Sequence, residues 1–341
     1  MTSRLALDRS QTLAFRRRVG ALDERLPSGP DGLRRAAWAG LSDSMPRAAL
    51  LSINARVEGT TPWAWEDPSL VQLWGPRFSA YVVAAADRAV FTLGRLPDDP
   101  AGLRRAVSAA DRLEAFLSGR RLPYGEAGRG IGVDPNSLRY GAPTGRILIR
   151  WDGNRQPIVW SVPAPEVDAR DARLELARRY LRVFGPGTPA AFAAWAGVRP
   201  RHALRVFEAL APSLMPVRTP VGDGWILGDD EAAFRELPAP PAPARLLPSG
   251  DAYFLLQGAD RAILVPDPAL QRELWTPRVW PGAVVVAGEV VGTWRRADAR
   301  LTIQPSRRLS AVECTALEAE ASALPLPGLD GAISVSWAAN R

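Results

Sequence analysis

Lysine is missing from this chain: all 43 of its side-chain cations are arginines, set against 36 carboxylates, giving a formal charge of +7 and a pI near 10.5. A GC-rich coding bias accounts for the missing lysine but does not fix the positive balance, and surplus guanidinium suits phosphate binding. Histidine and cysteine occur once each, as His202 and Cys314. That scarcity excludes an internal disulfide and argues against a zinc site, which needs several Cys or His ligands, so no metal is expected. Ser-His-Asp or Cys-His catalysis would have to run through His202, which lies in an Arg-rich helical stretch without a nucleophile elbow. The nearest glycine cluster, Gly125 to Gly132, lacks the preceding strand and following helix of a phosphate-binding fingerprint. No nucleotide or other cofactor is expected. There is no signal-peptide pattern and no apolar run of membrane-spanning length, so the expectation is a cytoplasmic, nucleoid-associated protein with no membrane partner.

What is present is a globular composition. With 47% hydrophobic residues over 341 positions, the chain is long enough for two or three packed domains. Arg120 to Gly145 is rich in Gly and Pro and reads as a linker. Leu237 to Pro248 carries Pro238, Pro240, Pro241, Pro243 and Pro248 and reads as a stiff connector. Three regions follow: 1–125, 126–243 and 244–341.

A short internal echo relates the first two. Ala36-Ala37-Trp38-Ala39-Gly40 returns as Ala193-Ala194-Trp195-Ala196-Gly197, and each copy precedes a helical pattern opened by a proline, Pro46 or Pro200. In the second copy Thr188 is placed to cap the helix, Pro189 takes its first position, and Leu204, Phe207 and Leu210 continue an apolar stripe. Helix, Gly turn, helix is a helix-turn-helix pattern. The polar side of its second helix offers Arg199, Arg201 and Arg205, either a phosphate-contacting surface or a solvated face. Between the units, Ile147, Ile149 and Trp151 alternate, Asp152-Gly153-Asn154 makes a turn, and Pro157 to Val162 returns. Arg146, Arg150 and Arg155 would line this hairpin, which reads as a wing or as an ordinary surface hairpin. The last region reads as strands over Ala252–Gln257, Arg261–Pro266, Gly282–Thr293 and Leu301–Pro305, then a helix from Ser310 to Leu324 opened by a capping box with Glu313. The fold class expected is α+β: tandem winged-helix units with a C-terminal β-rich domain.

Several segments together resemble the winged-helix DNA glycosylases of the AlkZ/YcaQ type. They are Tyr180 to Pro186 running into Thr188 to Gly197, Asp251 to Leu256, and Trp280-Pro281-Gly282-Ala283-Val284-Val285-Val286 leading to Val290 through Arg296. The resemblance covers about residues 30 to 330. That family carries a Q-Φ-Q or Q-Φ-D motif (Φ aliphatic) at the end of the second helix of its first unit, and the position matched here reads Ser52-Ile53-Asn54. A family strand resembling T-W-L-x-R-G-T-x-H is matched by Leu73 to Tyr81, keeping Trp74 and Arg77 and replacing His by Tyr81.

The resemblance implies a monofunctional DNA glycosylase, acting on duplex DNA that contains alkylated guanine; a monomer is expected. The nearest analogy is the antibiotic self-resistance branch, which removes bulky guanine adducts. N7 alkylation makes guanine cationic and a good leaving group, so the enzyme must place a water near C1′ and stabilise an oxocarbenium-like sugar. Asn54 would orient that water and Ser52 would hold it or the amide. Arg56, Arg77 and Tyr81 are second candidates for contact with DNA or lesion; Trp63 and Trp65 read as strand core. The rival expectation is a non-catalytic winged-helix DNA-binding protein or regulator.

Overall fold

The computed structural model describes residues 4–153, 155–236, 242–328 and 332–338. Pro238, Pro240 and Pro241 of the expected connector and Asn154 of the expected turn lie outside them.

One pattern, three helical segments followed by an antiparallel hairpin, occurs three times. The first unit comprises helices Arg9–Val19, Pro30–Ala36 and Ala48–Asn54 and the hairpin of Leu70–Trp74 with Ala80–Ala84. A short strand, Leu41–Ser42, pairs with Tyr81 and Val82 at its edge. The second comprises helix Pro100–Leu117, helix Tyr124–Gly130, the 3-10 helix Pro135–Thr144 and the hairpin of Ile147–Arg150 with Ile158–Ser161, edged by Leu122–Pro123. The third comprises helices Ala169–Phe184, Pro189–Ala196 and Pro200–Leu210 and the hairpin of Leu214–Thr219 with Gly222–Leu227. Each is a winged-helix arrangement.

Two expectations change with this count. The hairpin carrying Arg146, Arg150 and Arg155 is the wing of the middle unit, and Leu214–Leu227 is the wing of the third. The stretch 120–145 is not a linker but the second and third helices of the middle unit. Its glycines serve close approach: a Cβ on Gly130 would lie 2.0 Å from the Phe116 ring, so the helices touch where a loop would have been read.

The echoed segments occupy equivalent places. Each closes the middle helical segment of its unit on a glycine in the left-handed region: Gly197 (φ 70°) caps helix Pro189–Ala196 directly, while Gly40 (φ 76°) follows a turn over 37–39 after helix Pro30–Ala36. Thr188 accepts from Ala191 N with Pro189 at the first position, the start expected for that helix. Behind it Tyr180, Phe184, Phe192 and Trp195 pack ring against ring in the largest core. Each such ring contributes about 1.5–3 kcal/mol on burial.

The C-terminal domain is a five-stranded sheet in the order Arg245–Leu247, Gly282–Val286, Glu289–Ala297, Arg300–Pro305 and Ser334–Trp337. Helix Ala311–Ser322 starts from the expected capping box at Ser310 and Glu313. Ala252–Gln257 and Arg261–Pro266 are not strands. The first is an irregular segment whose Tyr253, Phe254, Leu255 and Leu256 are buried, and the second overlaps the short helix Asp260–Leu264. A short apolar run is buried alike in either conformation, and the sheet edge is supplied by Arg245–Leu247 instead.

Candidate active site

Helix Ala48–Asn54 is buried along its whole length. Positions two apart on a helix project about 200° from one another, so Ser52 and Asn54 cannot share a face. Ser52 turns inward: its hydroxyl donates to Asp251 Oδ2 at 2.6 Å. Arg56 donates from Nη1 and Nη2 to the two oxygens of the same carboxylate, at 2.7 Å each, and Nη1 also reaches the Ser52 carbonyl oxygen at 3.0 Å. Tyr253 N donates to Asp251 as well. This satisfied, fully buried carboxylate ties the first unit to the C-terminal domain. Ser52 and Arg56 belong to that joint, with Arg56 also lining a small cavity beside Trp38 and Tyr253.

Asn54 lies on the other side. Its Nδ2 is buried without a protein partner, and it lines a cleft of about 480 Å³ together with Asp23, Arg25, Glu58, Thr60 and Arg245. Arg25 Nε donates to the Asn54 carbonyl oxygen at 2.8 Å while its Nη2 pairs with Glu320.

Arg77 and Tyr81 also separate. Tyr81 sits in the core, its ring against Gly40 and Gly75, and burial pushes its hydroxyl up to about 12. It is therefore closed off from stacking on a lesion. Arg77 is exposed at the tip of the first hairpin, where Arg77 (φ 54°) and Phe78 (φ 58°) follow one another in the left-handed region. Such a non-glycine residue costs roughly 1–3 kcal/mol, and strain of this kind gathers at working sites. The loop is held from behind: a Cβ on Gly197, the turn of the third helix-turn-helix, would lie 2.9 Å from the Arg77 backbone.

The remaining arginines are spread over two surfaces. Arg199 and Arg205 pair with Asp99 and Asp98 while Arg201 stands exposed on the same helix. Arg146 is paired with Asp111 and Glu114 on the outer side of the middle unit. Arg150 lies 3.8 Å from the centroid of the Trp65 ring, Arg47 lies 4.5 Å from the same centroid, and Arg150 bonds Glu66 at 2.8 Å. Arg155 opens into a groove of about 490 Å³ between the first unit and the middle hairpin, with Ser44, Phe78, Tyr124, Arg139 and Trp151 on its walls.

A charged residue next to this groove was not a sequence candidate. Asp43 lies immediately behind Ser44 and is almost fully buried; it accepts from Ala49 N at 3.0 Å and from Gln72 Nε2 at 2.6 Å. Gln72 Oε1 in turn accepts from Trp151 N at 2.6 Å, joining the hairpin to the carboxylate. Desolvation pushes the Asp43 carboxyl up to about 6, partly opposed by the Ala49 hydrogen bond, Arg47, Gln72 and Arg150. Ser42 and Ser44 flank it, hydroxyl to hydroxyl at 2.8 Å. Through Ala49 N, Asp43 also caps the start of helix Ala48–Asn54. The overlooked signal is polar spacing: these two serines are two apart, like Ser52 and Asn54, but on non-helical backbone, where both can face one partner.

Three winged-helix units, with a basic, aromatic groove between the first and the middle one and a buried carboxylate next to its Ser44 wall, are an arrangement suited to DNA. The family model described as "AlkZ-like: DNA glycosylase AlkZ-like" matches residues 37–325, and the chain belongs to that family of DNA glycosylases. Among solved structures it is similar to the Streptomyces sahachiroi DNA glycosylase AlkZ, with a TM-score of 0.76 and 17% identity, covering 98% of this chain and 100% of that one. No curated protein matches the chain by sequence. Among the described residues no group of His, Cys, Asp and Glu could hold a metal ion, and no helix is long and apolar enough to cross a membrane.

Proposed function

We propose that this glycosylase hydrolyses the N-glycosidic bond of N7-alkylguanine in duplex DNA, including bulky adducts, by a monofunctional route and as a monomer. The observation that carries this reading is the groove at Ser44, with the Asp43 carboxylate behind its wall. A cationic alkylguanine leaves without protonation, so the burden falls on the sugar, which becomes cationic as the bond breaks. An ionised carboxylate in a low-dielectric setting stabilises that charge far better than the same group in water. Ser44, bonded to Ser42, supplies a hydroxyl to place the attacking water, while Asp43 acts through the field and through the Gln72–Trp151 link that fixes the hairpin. The sequence holds no lysine side chain to form a Schiff base with the sugar, which supports hydrolysis without lyase chemistry.

A second placement of the chemistry is favoured by one observation, the unpartnered Asn54 Nδ2 facing its own cleft. Asp43→Asn and Asn54→Ala, assayed for release of labelled N7-methylguanine with melting curves run alongside, separate the two. The groove reading expects a 10²–10³-fold loss in Asp43→Asn, of the order known for preorganised electrostatic groups. It also expects near wild-type release in Asn54→Ala. The reverse pattern moves the reaction to the Asn54 cleft; no release by any form, with DNA still bound, leaves a binding protein.

A further inference from the structure

We propose that the cavity behind Phe78 is a binding site for the guanine-type base itself, a site separate from the Ser44 groove. The inference rests on the N7-alkylguanine reading for the identity of its ligand. Phe78 is the wall between the two spaces, lining the groove on one side and a cavity of about 190 Å³ on the other. That volume lies below the roughly 300–1,000 Å³ usual for drug-sized ligands and suits one small planar heterocycle.

The chemistry of the walls selects the ligand. Phe78 and Tyr140 meet edge to face at 5.6 Å between centroids, with the Arg95 guanidinium 4.9 Å from the Phe78 ring, so the cavity offers aromatic surface. His202 is 3% exposed, and its Nε2 is buried without a partner. The Asp98 carboxylate, 3.5 Å from Nδ1, fixes the ring proton on that nitrogen and leaves Nε2 as a lone-pair acceptor. Burial and the nearby Arg173 lower the imidazole's pKa, which keeps it neutral. Asp98 and Asp99 face the same space. Of the cations there, Arg95 is spent on the carbonyl oxygens of Ala196 and Trp74, Arg199 on Asp99, and Arg105 lies over the Tyr140 ring at 5.9 Å. An aromatic cavity rich in acceptors calls for a flat heterocycle carrying several N–H donors. Guanine carries an N1–H and an exocyclic amino group along one edge, and alkylation at N7 leaves that edge intact. The strained Arg77–Phe78 turn then has a function: it holds the ring that separates where the sugar reacts from where the base is received.

The test uses the chain's single histidine, whose Hε1 resonance reports His202 alone. Titration of the full-length protein with 7-methylguanine should move that resonance saturably. Caffeine, a bicyclic of similar size with no N–H, should leave it in place. His202→Leu and Tyr140→Ala, followed by saturation-transfer signals of the ligand, should each weaken binding roughly fivefold or more. Tyr140 is 44% exposed, so its truncation should leave the fold intact. An unmoved His202 resonance, equal binding of caffeine, or unchanged binding in Tyr140→Ala would each overturn the proposal. Free-base binding is independent of turnover. A protein that binds 7-methylguanine but releases none from DNA keeps this pocket and loses the reaction; one that releases it with His202 unmoved loses the pocket.

Discussion

Among single residues Asp43 carries the most consequence, because its environment works against its charge. A carboxyl whose pKa rises from 3.8 to about 6 on folding binds its proton more tightly folded than unfolded. Its ionisation therefore weakens the fold: the penalty is absent below 3.8 and complete above about 6. Retaining the charge at neutral pH is then a functional choice, and base release should rise with pH through an apparent pKa near 6. In Asp43→Asn that limb should flatten, which a pH–rate profile from pH 5 to 8 will read. Asp251 shows the opposite case. Its charge is fully answered by Arg56, Ser52 and Tyr253 N. Arg56→Ala leaves it buried and unpaired and should lower stability by about 3–5 kcal/mol, seen in denaturant melts. Ser52→Ala should lower it less while leaving release intact. The sequence made Ser52, Asn54 and Arg56 stand out by position but could not say which way each points. That answer depends on Asp251, nearly two hundred residues away in the chain.

At the level of elements, the winged-helix pattern was legible where local chemistry is strong. The second echoed Ala-rich helix with its terminal Gly197, the Thr188 start and the Ser310 capping box were all readable, since each is decided within a few residues. The middle unit was not, because its second and third helices are short and carry glycines. Its glycines report helix contact through partners such as Phe116 rather than chain flexibility. The Arg261–Pro266 run failed as a strand for a related reason: tertiary burial, not periodicity, decides six apolar-rich residues. The echo yields a prediction of its own. Gly40 stands at φ 76°, and an added Cβ would come 2.8 Å from the Phe91 ring and 3.1 Å from Tyr81. Gly40→Ala combines left-handed strain with overpacking and should cost roughly 2–4 kcal/mol, measurable as a lowered Tm.

The whole molecule is a basic body of three winged-helix units and a C-terminal β domain, with its cations on permanent guanidinium. Binding to duplex DNA should therefore weaken steeply with salt, log K falling linearly with log salt. Arg155, open on the groove, should account for about one unit of that slope, and Arg155→Ala should flatten it by about that amount. Arg146, held by Asp111 and Glu114, should matter less. The measurement that tests the central claim most directly is single-turnover release of labelled N7-methylguanine from a duplex at neutral pH, comparing wild type with Asp43→Asn. Release by the wild type and a hundredfold or greater loss in a folded, DNA-binding variant is the predicted result. Equal release by both would contradict a reaction centred on the Ser44 groove.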